Sequence, residues 1–136
     1  MADKIEGTTI PVNKPDMLNF TMREPIGVVA AIVPWNSPLL LLNRVMAPCL
    51  AIGNAMVVKP SEHATASILA LAELVAEAGY PEGVFNVVTG YGATVGDALV
   101  GHPGVTKVDF TGGPATGRLI ARRAVDNLTP AALSGA

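Results

Sequence analysis

Gly27-Val28-Val29-Ala30-Ala31-Ile32-Val33 is an unbroken run of small and β-branched apolar residues that stops at Pro34-Trp35-Asn36. Apolar and polar positions do not alternate along it, so both faces of the strand it predicts must be covered, as in a parallel sheet packed between helices. A second buried strand is expected at Ala55-Met56-Val57-Val58, a third strand at Val84-Phe85-Asn86-Val87-Val88 and a fourth at Thr106-Lys107-Val108-Asp109-Phe110, while Ala131-Ala132-Leu133 can begin a fifth.

Helical patterns fill the intervals. Over residues 38–53 the apolar positions Leu39, Leu42, Val45, Met46 and Leu50 recur at helical spacing, with Asn36 or Ser37 as cap and Gly53 as stop. Residues 65–78 are rich in Ala, Leu and Glu and end at Gly79. A short helix over 93–100 is entered through Gly90-Tyr91-Gly92, and another runs over about 115–126. Strands alternating with helices of this length imply right-handed crossovers. The fold class expected is therefore α/β, a doubly wound, mostly parallel, Rossmann-like sheet with helices on both faces. Ahead of it, the strand-like residues 8–12 and 18–22 flank the turn formers Asn13-Lys14-Pro15-Asp16, which predicts an N-terminal β-hairpin. The expected organisation is a hairpin segment over 1–24 and one α/β domain over 25–136.

Composition narrows the function. Half of the 136 residues are hydrophobic and 15% are charged, which argues against disorder and for apolar surface that seeks a partner. A net charge of −2 without a basic stripe gives no footprint for a phosphate backbone, so nucleic acid is not expected as a partner. The longest apolar stretch, residues 38–52, is interrupted by Asn43, Arg44 and Pro48 and is shorter than the ~20 residues a bilayer requires, so no membrane partner is expected either. One cysteine, Cys49, and an N-terminus without a secretory profile point to a cytoplasmic protein. His63 and His102 stand alone in the sequence, which supports no metal site.

Three short segments follow directly on strands: Pro34-Trp35-Asn36, Lys59-Pro60-Ser61-Glu62, and Phe110-Thr111-Gly112-Gly113-Pro114-Ala115-Thr116-Gly117. In doubly wound sheets ligands bind beyond these carboxyl ends. The glycine segment joins a strand to a helix, where free N–H groups and the helix dipole can face a pyrophosphate; as sequence alone it also fits a plain tight turn. Lys59 and Glu62 form a charged pair at an edge that can grip ribose hydroxyls, and Glu62 equally suits the first turn of the next helix. The Asn36 amide can donate to an oxyanion, and it can equally cap the helix that follows. Cys49 lies within an apolar helix with neither a histidine nor a cluster of cations nearby in sequence, so it is expected to be a buried, unreactive thiol.

In type, order and separation these segments resemble the NAD(P)-dependent aldehyde dehydrogenases, and the likeness runs over residues 2–133. The resemblance implies a dinucleotide site formed by Ile32, Val33, Pro34 and Trp35 at the end of the first strand and by Lys59, Ser61 and Glu62 at the ribose. Gly92 and Gly96 would line the adenine side, with Phe110, Thr111, Gly112, Gly113, Thr116 and Gly117 around the pyrophosphate. It makes Asn36 the oxyanion donor in the oxidation of an aldehyde to a carboxylic acid. Glu62 would repel a 2′-phosphate, which favours NAD over NADP as cofactor. One departure stands out: the family often has serine where this chain has Gly113, leaving the phosphate contact to backbone N–H groups or Thr116.

The resemblance also predicts what these residues do not supply. The family's catalytic cysteine has no counterpart here, and Ser134 stands where the family has its general-base glutamate. The 25–136 region is thus expected to be an incomplete dinucleotide-binding domain, inactive alone, whose partner is the remainder of the enzyme or a second copy of itself. The alternative is a non-catalytic nucleotide-binding or interaction module of the same descent.

Overall fold

In the computed structural model, which describes residues 2–135, five strands form one sheet in the order β3-β2-β1-β4-β5. They are β1 (Val28–Val33), β2 (Ala55–Pro60), β3 (Phe85–Val87), β4 (Lys107–Gly112) and β5 (Ala131–Gly135), and every pairing is parallel. The fifth run is therefore a strand, and the sheet is wholly rather than mostly parallel.

Four helices cover the sheet: α1 (Pro38–Ala51), α2 (Thr65–Glu77), α3 (Asp97–Val100) and α4 (Pro114–Val125). A wide π-type turn at Gly92–Gly96 leads into α3. On one face, Leu42 and Cys49 of α1 and Ile68 of α2 pack on Val29, Ala31 and Val33 of β1 and Met56 and Val58 of β2. On the other, Val100 of α3 with Ile120 and Ala124 of α4 covers Ala30, Val108 and Phe110. Alternate β1 residues thus feed opposite cores, which is why the strand reads as apolar throughout. Leu42 has no exposed surface, and its truncation to Ala would cost about 2–5 kcal/mol.

Helix ends follow local chemistry. Gly53 and Gly79 adopt left-handed φ values of 91° and 82° just past α1 and α2, a conformation glycine takes without Cβ strain. Pro114 opens α4 at a position where no N–H is needed. Ser37 occupies the position before α1, and neither it nor Asn36 makes a capping side-chain bond there.

The N-terminal segment forms a loose hairpin rather than two strands. Thr9 and Phe20 make one antiparallel bridge, flanked by bonds from Ile10 N–H to the Asn19 carbonyl and from Thr21 N–H to the Thr8 carbonyl, each 2.9 Å. Its side chains, including Leu18, Phe20 and Met22, are exposed. Turn chemistry at 13–16 was legible in the sequence, but without a second apolar layer the pairing stays short.

Candidate functional site

The chain runs from β1 outward to β2 and β3 and then returns to place β4 on the opposite side of β1. This reversal opens a crevice beyond the carboxyl ends of β1 and β4, the usual ligand site of such sheets. On the α3/α4 face the crevice widens into a cleft of ≈ 650 Å³. Ile32, Gly92, Gly96 and Thr116, four residues picked out by sequence, line it together with Leu119 and Arg123. Gly92 is exposed at its mouth and Gly96 is buried in its wall.

Lys59 adjoins this cleft. It is only 3% exposed, its Nζ donates to the Pro60 carbonyl at 2.7 Å, and its stem lies against Gly96. Burial lowers the ammonium pKa, and the nearby Glu62 carboxylate partly offsets that. Glu62 itself is exposed, at the entrance to α2. Ser61 joins the two strand ends: its N–H donates to the Val33 carbonyl at 2.9 Å and its carbonyl accepts from Thr65 Oγ1 at 3.1 Å.

The glycine segment forms a tight strand-to-helix turn over an aromatic ring. A Cβ at Gly112 would stand 2.6 Å from the Phe110 Cζ, and one at Gly117 would stand 3.4 Å from its Cε1. Phe110 is thus a core residue that shapes the turn from beneath, and Gly112 admits no side chain without displacing the ring. Gly113 has open space on its Cβ side, and its carbonyl accepts the Gly117 N–H at 3.1 Å as α4 begins. Open backbone at a helix N-terminus is the arrangement suited to an approaching anion.

The remaining predicted residues lie on or beyond the other face. Val33 is in the α1 core, Pro34 is half-buried, and Thr111 lines a smaller cavity of ≈ 190 Å³ with Arg44, Asp109 and Ser134. Trp35 is 65% exposed and Asn36 is also exposed. Cys49 is buried in the α1 core, and desolvation pushes its thiol up to about 11, which removes it as a thiolate nucleophile near neutral pH.

Sequence reading missed two features. Asn54 is buried, with Oδ1 accepting the N–H groups of Ile26 at 2.6 Å and Gly27 at 3.1 Å while Nδ2 donates to the Cys49 carbonyl at 3.2 Å. It staples the start of β1 to the end of α1. Arg123, the other, closes the far end of the cleft through contacts with Asp97 and Asp126. No motif marks either, because each is defined by a group distant in sequence, Ile26 and Gly27 for Asn54 and Asp97 for Arg123.

Comparison with known proteins defines the class. The family model described as "Aldehyde dehydrogenase family" matches residues 1–135. The chain is 52% identical over 133 residues to the (Z)-2-((N-methylformamido)methylene)-5-hydroxybutyrolactone dehydrogenase of Acinetobacter baylyi, a match that takes in 98% of this chain and 27% of that protein. Its fold superimposes with a TM-score of 0.89 and 49% identity on a putative aldehyde dehydrogenase from Burkholderia cenocepacia, covering 97% of this chain and 28% of the other. PnpE, known from Pseudomonas sp. WBC-3 and also solved in complex with nicotinamide adenine dinucleotide, gives a TM-score of 0.88 at 53% identity over 98% of this chain and 27% of its own. The chain belongs to the aldehyde dehydrogenase family, and it spans about a quarter of the length of the relatives it matches. Among the described residues no helix is long and apolar enough to cross a membrane.

Proposed function

We propose that residues 25–136 are the dinucleotide-binding part of an NAD-dependent aldehyde dehydrogenase, with 1–24 as an appended hairpin. The observation that carries this reading is the convergence of Ile32, Gly92, Gly96 and Thr116 on one cleft at the sheet's switch point, with Lys59 beside it. That cleft has the size and apolar walls an adenosine needs.

Ile32, Gly92, Gly96 and Thr116 would enclose the adenosine, while Lys59 and Glu62 hold its ribose hydroxyls. The open backbone at Gly113 and the start of α4 would face the pyrophosphate. The bound dinucleotide supplies the hydride acceptor for aldehyde oxidation. Asn36 would donate its amide N–H to the oxyanion that forms when a thiolate adds to the aldehyde. Buried Cys49 is not that thiol, so the nucleophile and the general base come from residues other than these 136. The whole enzyme converts an aldehyde to a carboxylic acid, in the cytoplasm. Exposed Glu62 favours NAD over NADP, because its carboxylate repels a 2′-phosphate.

Titrating NAD and NADP against Trp35 fluorescence tests this reading. Saturable quenching by NAD, weaker for NADP, is expected, and E62Q should narrow that difference. No saturable change at millimolar NAD would overturn it. Aldehyde and NAD added to this chain alone should yield no NADH.

A further inference from the structure

We propose that Arg123 is a positioning residue that sets the width of the cleft by tying residues 92–100 to α4; this rests on the cofactor reading above. The wall it holds is short and is anchored in the core chiefly by Val100. α3 has four residues, too few for an independent helix, and the π-type turn before it is entered through Gly90 at φ 142°. Arg123, on the last full turn of α4, spans from one wall to the other. Its Nη1 donates to Asp126 Oδ2 at 2.7 Å, and its Nε stands 3.6 Å from Oδ2 of Asp97, the first residue of α3. Its guanidinium packs over Gly101, where any Cβ would collide with it, and Asn127 Nδ2 adds a bond to the Gly101 carbonyl at 2.8 Å.

Nε is enclosed yet has no hydrogen-bond partner among the described residues. The carboxylate that faces it is that of Asp97, whose Oδ2 at 3.6 Å lies just beyond hydrogen-bond reach. Arg123 therefore ties the α3 wall to α4 through a charge contact that crosses the cleft. Both ion pairs are substantially exposed, so their loss should change global stability little while it changes the position of the wall.

The test uses the full chain, with ADP-ribose as the calorimetric probe and hydrogen exchange measured without ligand. R123M and D97N should each weaken ADP-ribose binding about three- to tenfold, with a double variant no worse than either alone. Amides of residues 92–100 should exchange faster in both variants, at a nearly unchanged urea midpoint. R123K keeps the charge but lacks the planar guanidinium fork that reaches Asp97 and Asp126 together, and should recover only part of the affinity. Wild-type affinity in R123M and D97N, or unchanged exchange at 92–100, would overturn the inference while leaving the cofactor reading intact. Absence of binding by the wild-type chain would overturn both.

Discussion

Lys59 lies alongside Gly96: a Cβ added to that glycine would stand 3.5 Å from Lys59 Cδ and 3.7 Å from Cε. The stem of a buried lysine from β2 thus lies against the wall of the cleft. Gly96 also has helical φ and ψ of −64° and −47°, so alanine fits its backbone without strain. Gly96→Ala should raise stability by about 0.4–1 kcal/mol in urea unfolding. The same methyl meets Lys59 at ordinary contact distance but takes space in the wall of the cleft, and NAD affinity should fall by roughly fivefold or more. A variant both more stable and equally tight in binding would show that this junction is not part of the cofactor site.

Asn54 satisfies two N–H groups at the entrance to β1. Asn54→Ala leaves both without their acceptor next to a packed core, and should cost about 2–3 kcal/mol by urea unfolding. Asn54→Asp keeps an acceptor but loses the bond to the Cys49 carbonyl, and should fall between alanine and the wild type.

Leu128 ends α4 in the left-handed region at φ 53°, where Gly53 and Gly79 end α1 and α2. Thr129 N–H bonds the Ala124 carbonyl at 2.9 Å and Leu128 N–H bonds that of Val125 at 3.0 Å, the paired pattern of a left-handed helix stop. The leucine side chain is 86% exposed, so its removal forfeits little packing. Leu128→Gly should raise stability by about 0.5–1 kcal/mol, read as a higher thermal midpoint.

Asp109 lies in β4 against α1, where burial raises its carboxyl pKa and the charges of Lys107 and Arg44 only partly offset that. A carboxyl that binds its proton more tightly when folded stabilises the fold while protonated, and this contribution is lost as pH rises through the raised value. Near neutral pH the ionised group therefore costs stability. Asp109→Asn should raise the urea midpoint at neutral pH, and the gain should vanish below about pH 4. An equal gain at both pH values would assign the effect to packing instead of charge.

The sequence determined much of this molecule. A doubly covered strand has no need to alternate, so the unbroken apolar run Val28–Val33 pointed to a parallel sheet, the alternation of strands with helices carried it through the later strands, and glycine or proline marked most helix ends. The motifs at the ends of β1, β2 and β4 were also legible as sharing one edge of the sheet, since parallel strands put their carboxyl ends together. The fifth strand was legible only as a possibility, because its five residues carry little apolar pattern and pair through their backbone with β4.

Only tertiary structure decided which neighbours in sequence part company. Ile32 lines the cleft whereas Val33 enters the α1 core, and Thr111 opens on the smaller cavity while Phe110 supports the glycine turn from below. A pleated strand sends successive side chains to opposite faces, and a uniformly apolar strand gives no hint of which face a helix leaves open. The Asn54 staple and the Arg123 clasp were illegible for a related reason: a polar side chain declares its role only when the groups it must satisfy, remote along the chain, are brought within bonding distance.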